Sequence, residues 1–301
     1  MTTGKLTGNR AVVWLLVLVV FVVLMILASV LTSGDKIRGV APIVMTAVGL
    51  IAIFVVYLAT SSSEAWTVGT RQVVYMAIGA ALYGVFNYIF NLIPMPSVSQ
   101  VSLRPSVCIP IFFGYAFGPV VGFFTGAVGN ILGDFITGWG VYPAWDMGNG
   151  LMGMVPGLVM LFADKKRSLN FLTALVAVLI VIAAALVFLN PRVPGPWTGE
   201  IEDFSFWAWA FIVGGVVVIV GRFVLEQVSV DLAAVNLWGT LGIIIGIGFA
   251  AVSDIWINGY SFATAIIGEF APAAGPNILN SMILTPILLA AYQAVQARTG
   301  R

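Results

Sequence analysis

Long apolar runs broken by short polar or Gly/Pro-containing segments dominate this chain. A helix needs roughly 20 apolar residues to cross about 30 Å of hydrocarbon, and fewer where neighbouring protein shields it. The pattern predicts ten helices: 11–33, 40–60, 72–93, 105–117, 119–137, 147–163, 170–189, 207–226, 232–255 and 276–297. The fourth is too short to cross unless buried, and Gly118-Pro119 separates it from the fifth. Gly114, Gly118, Gly122 and Gly126 recur at every fourth position, which predicts a groove on one helix face where another backbone approaches closely.

Composition agrees with a bilayer. The chain is 60% hydrophobic and 8% charged, where soluble domains carry about a quarter charged residues. A net charge of +1 leaves no basic surface for nucleic acid. Histidine is absent, which removes the usual general base, zinc ligand and proton relay. There is no phosphate-binding G-x-x-x-x-G-K-[ST] loop, so ATP-driven work falls to another subunit. No enzyme activity, metal site or cofactor is expected, and the lone Cys108 reads as a packing residue.

The first span follows Lys5 and Arg10 and exceeds the core of a signal peptide, so it reads as a retained helix. A cytoplasmic N-terminus sends Arg71, Lys165, Lys166, Arg167, Arg222, Arg298 and Arg301 inside with Lys5 and Arg10. Lys36, Arg38, Arg104 and Arg192 then lie outside. This positive-inside bias predicts a multi-pass cell-membrane protein with both termini cytoplasmic.

In that orientation segments 94–104, 138–146 and 256–275 are all external and carry most of the unusual polar and aromatic residues. Their convergence predicts an outward-facing pocket. Arg104 either anchors a ligand's carboxylate, phosphate or carbonyl oxygen, or is an interface residue or a structural partner of Asp134 or Asp146. Asp134 and Asp254 end two apolar helices, where each either accepts hydrogen bonds from a ligand or sits in water. Trp139, Tyr142, Trp145, Trp256 and Tyr260 can stack on a planar ring or form an interfacial aromatic belt. Trp145 and Asn149 are four apart and share a helix face, setting an amide beside a stacking plane. Asn258 lies in the third segment, with Glu269 further along, while Asn277 and Asn280 offer a second amide pair or interhelical hydrogen bonds. The segment 190–206 reads as a solvated loop and Lys165–Arg167 as a topology anchor.

Several motifs resemble the substrate-binding S component of energy-coupling factor (ECF) vitamin transporters, in the branch similar to riboflavin and thiamine-precursor carriers. They are L-R-P at Leu103–Pro105, F-G-P-V-V-G at Phe117–Gly122, the stretch around Asn130 and Asp134, W-x-x-G-N-G-L-x-G at Trp145–Gly153, and P-N-I-L-N-S-M-I-L-T-P at Pro276–Pro286. The resemblance covers about 72–164 and 230–297 and implies a six-helix bundle, here the spans beginning at 72, 105, 119, 147, 232 and 276. It further implies partners: a transmembrane coupling subunit and two ATPase subunits. Ala77 and Ala81 match the family's small-residue docking face.

The expectation is therefore an all-α polytopic membrane protein with a two-helix extension at 1–66 and an S-component-like domain at 67–301, which carries an extra hairpin at about 168–228. It would capture a vitamin or precursor from outside, an uncharged or weakly anionic planar nutrient. The candidate binding set is Arg104, Asp134, Trp139, Tyr142, Trp145, Asn149, Trp256, Asn258, Asn277 and Asn280. The alternative is a stand-alone secondary transporter of a small organic solute.

Overall fold

The computed structural model describes residues 39–99, 101–194 and 200–299. The predicted span 11–33 lies outside them. The other nine predicted spans are helical: α1 (Ala41–Thr60), α2 (Thr70–Phe90), α3 (Cys108–Phe117), α4 (Pro119–Thr137), α5 (Pro143–Gly157), α6 (Lys165–Leu189), α7 (Ser205–Val228), α8 (Val230–Ile257) and α9 (Ala271–Thr299). A π-helical segment, Thr264–Phe270, leads directly into α9. Among the described residues seven helices are long and apolar enough to cross a membrane, counting the π-helical lead with α9. Large apolar side chains cover the outside of the bundle, among them Ile51 and Val55 on α1, Val74 and Val85 on α2, and Phe171 and Val181 on α6. A surface of this kind belongs in lipid. The fold is that of an all-α polytopic membrane protein.

Local chemistry sets the helix ends. Gly118 adopts φ +108°, a backbone state that L side chains rarely reach, and so breaks α3 from α4. Pro119 and Pro143 occupy first-turn positions, where a missing N–H costs nothing. Asp164 caps α6 by accepting from the Arg167 N–H, and Ser229 caps α8 by accepting from the Asp231 N–H.

The structure departs from the predicted layout in three places. Helix α5 starts at Pro143 rather than 147. The stretch 256–275 is not a single external segment: helix resumes at the π-helical turn, and Thr264 to Ala274 are buried. Gly268, Pro272, Gly275 and Pro276 look like breakers, yet a buried backbone must satisfy its own polar groups, and helix is the way to do so. The segment 190–206 contains a two-stranded antiparallel ribbon, Arg192–Pro194 paired with Ile201–Asp203, rather than loop alone.

Helix α5 is the axis of the bundle, buried from Asp146 through Gly157. It packs against α3, α4 and α8; α2 lies on the far side of α4, and α1 touches α5 and α8. Glycine makes this possible. A methyl on Gly114 or on Gly122 would overlap the Gly153 carbonyl oxygen, and one on Gly126 would overlap that of Asn149. The four regularly spaced glycines therefore do not line one helix face. They straddle the Gly118 break and admit α5 from two helices at once.

Helices α6 and α7 pack on each other and on α8. Leu169, Leu172, Val176 and Ile180 of α6 are buried in the principal core cluster together with α8 residues. At the end of the bundle where α6 begins, Asp231 of α8 pairs with Lys165 at 2.6 Å and accepts from the Tyr115 hydroxyl of α3 at 2.8 Å. Gln293 of α9 reaches the same carboxylate at 3.5 Å.

Candidate ligand-binding site

A cavity of about 330 Å³ opens at the other end of the bundle, at the small end of the range for ligand sites. Its walls come from α4, α5, α8 and α9, from Pro42 of α1, and from the segments that join α2 to α3, α4 to α5 and α8 to α9.

One wall, formed by Arg104, Asn130 and Asp134, is backed by a polar ladder inside otherwise apolar helices. Tyr83, Asn87 and Asn91 recur every fourth residue on α2 and face Asn130 and Asp134, also four apart, on α4. Arg104 sits between the rows, donating to Asn130 Oδ1 (2.5 Å), Asn91 Oδ1 (2.8 Å) and Asp134 Oδ1 (3.0 Å). Asn91 also donates to Asp134, and Asn87 donates to Asn130. The Asn130 amide then donates to Asp134 and to Asp146 Oδ1, while Asp146 Oδ2 is buried without a hydrogen bond. Arg104 thus pairs with Asp134, one of its predicted alternatives, and also lines the cavity.

The opposite wall is aromatic and acidic. Trp145 Nε1 donates to Asp254 Oδ2 at 2.9 Å, joining α5 to α8. Tyr260 lines the cavity from the α8–α9 connection and donates to the Val98 carbonyl at 3.4 Å. Burial, with Glu269 and Asp254 nearby, raises its phenol above the ordinary tyrosine value, so it stays neutral and a donor. Asn149 accepts from the Tyr83 hydroxyl at 2.6 Å and donates to the Trp145 carbonyl at 2.8 Å. Part of its hydrogen-bonding capacity is thus spent on holding α5.

Eight of the ten candidate residues meet at this cavity: Arg104, Asp134, Trp139, Tyr142, Trp145, Asn149, Asn258 and Asn277. Trp256 does not. Successive helical residues turn by about 100°, so with Asp254, Ile257 and Asn258 facing inward Trp256 points away, and it is 57% exposed. Asn280 is also absent from the lining, three residues beyond Asn277, or roughly 4.5 Å further along α9. The wall also takes in Asn130 and the loop residues Ser99, Val101 and Ser102, none of which the candidate set contains. Behind that wall, Tyr83, Asn87 and Asn91 carry a four-residue spacing that is visible in the sequence. Among the described residues no three of His, Cys, Asp and Glu come together as a metal site requires.

Fold and cavity together define a polytopic helical membrane protein with a ligand-sized compartment at one end. Residues 67–190 match the family model described as the ECF-type riboflavin transporter S component. The matched region includes α6, which the six-helix mapping had left out, and stops before α7. The relatives it matches include UPF0397 proteins of Vibrio atlanticus (36% identical over 96 residues, 32% of this chain and 52% of the relative) and Aliivibrio salmonicida (34% over 96 residues, 32% and 51%). A third, from Aliivibrio fischeri strain MJ11, is 36% identical over 96 residues, again 32% and 51%. The chain spans about half the length of these relatives. No solved structure matches it.

Proposed function

We propose that this chain is the substrate-capture subunit of an ECF-type importer. It takes a vitamin or vitamin precursor from the outer side and passes it on through a coupling subunit driven by separate ATPases. The observation that carries this reading is the cavity walled by Trp139, Tyr142 and Trp145, lying within or beside a segment that matches an S-component family. Aromatic faces stack on a heteroaromatic ring while amides and hydroxyls fix its orientation. Chain traversal puts Arg71, Lys165 and Lys166 at the end away from the cavity, a positive-inside bias that supports an external cavity and cytoplasmic termini.

Ala77 and Ala81 on α2 are exposed on the outside of the bundle, whereas Ala80 and Gly84 are buried. That leaves the Ala77/Ala81 face available for a coupling subunit. In this reading 1–66 is an extension, 67–301 the capture domain, and the hairpin at about 168–228 an added but integral part, since α6 and α7 share the core with α8. Buried acids such as Asp146 and Glu269 keep a second reading in view, a stand-alone secondary transporter. Uptake by the chain alone in proteoliposomes would favour that second reading.

The test is mass spectrometry of small molecules that co-purify with the full chain, together with thermal shifts across a vitamin panel. A bound ring compound with a matching shift is the expected result. No recovered molecule and no shift would overturn the capture role.

A further inference from the structure

Charge is unevenly matched around the cavity. Asp134, Asp146, Asp254 and Glu269 lie in or directly behind its wall, against the single guanidinium of Arg104. That guanidinium is already met by Asp134 and by the Asn91 and Asn130 amide oxygens. The acids of the α8 side have no such counterpart: among the described residues neither Asp254 nor Glu269 forms an ion pair.

Glu269 is the sharper observation. It is fully buried, and among the described residues no cationic side chain lies against its carboxyl. It sits on the π-helical segment with Ser99, Asp254 and Tyr260 as polar neighbours, and all three of those line the cavity. A π-turn inside a helix often marks a functional position. Burying a carboxyl without a cationic partner is costly, and in a membrane interior more so. A cation arriving in the cavity offsets that cost. Trp139, Tyr142, Trp145 and Tyr260 line the same space, and the face of an aromatic ring attracts positive charge.

We infer that the compartment selects a ligand carrying a positive charge on or beside its ring, with that charge placed at the Asp254–Glu269 wall. This rests on the capture role and replaces the uncharged or weakly anionic nutrient expected from sequence. Arg104 then serves as a structural cross-brace rather than an anchor for an anionic ligand.

The experiment is calorimetric titration of the full chain in nanodiscs with thiamine and with its thiophene analogue, which has the same shape without the ring cation, and with riboflavin as a neutral planar control. Thiamine should bind about tenfold or more tighter than the thiophene analogue. In Glu269→Gln and Asp254→Asn the preference should collapse to within about twofold. Equal affinities in the unmodified chain, a measurement needing no variant to fold, overturn the inference. So does binding of riboflavin alone, though that leaves the capture role standing. Binding of nothing across the wider vitamin panel removes both.

Discussion

Replacing Arg104 by alanine tests whether the polar ladder or the ligand is its purpose. Its guanidinium makes three hydrogen bonds, at 2.5, 2.8 and 3.0 Å, and its side chain is 13% exposed against 4% for Asp134. Removing one member of a buried pair strands the other charge at a cost of about 3–5 kcal/mol. Access of water from the cavity places Arg104→Ala near the lower end, about 3 kcal/mol. Asp134→Asn keeps an acceptor for the guanidinium and should cost about 2 kcal/mol. In the double variant neither charge is stranded, so its cost should fall short of the sum by at least about 1.5 kcal/mol. Equilibrium unfolding in mixed SDS micelles, followed by circular dichroism, measures all four corners of the cycle. Additivity within about 0.5 kcal/mol would refute the brace and return Arg104 to the pool of ligand contacts.

The remaining predictions concern the cavity wall and the axis. Trp145→Ala removes both a stacking face and the Asp254 hydrogen bond and should weaken binding of the co-purifying compound at least about tenfold, whereas the outward-pointing Trp256→Ala should leave it within about twofold. Gly122→Ala drives a methyl into the Gly153 carbonyl and should destabilise the bundle by about 2 kcal/mol or more, seen as a lower unfolding temperature in detergent.

Much of the helical layout is legible because lipid imposes a simple rule on length and apolarity. Helix α4 spans 119–137 as predicted, since Gly118-Pro119 and Gly138 mark both ends in the sequence. The entry into α9 was misread for the converse reason. Prolines and glycines signal breaks where water can take up freed backbone groups, but Thr264–Gly275 is buried and stays helical. Trp139, Tyr142 and Asn258, which stand out in the sequence as aromatic and polar loop residues, line the cavity. Trp256 lies off the cavity, because composition names the segment but not the face, and a single turn of helix decides that. The role of the α2 ladder is not legible from its spacing alone, because its members come together with Arg104 only once α2 packs on α4.

The Asp231 junction has a mechanical consequence. Lysine, tyrosine and glutamine from three other helices all close on that one carboxylate, so the bundle is riveted at its foot, while its rim is finished by short connecting segments. Pulling that end apart means breaking contacts to several helices together, whereas the rim carries no comparable single tie among the residues that line the cavity.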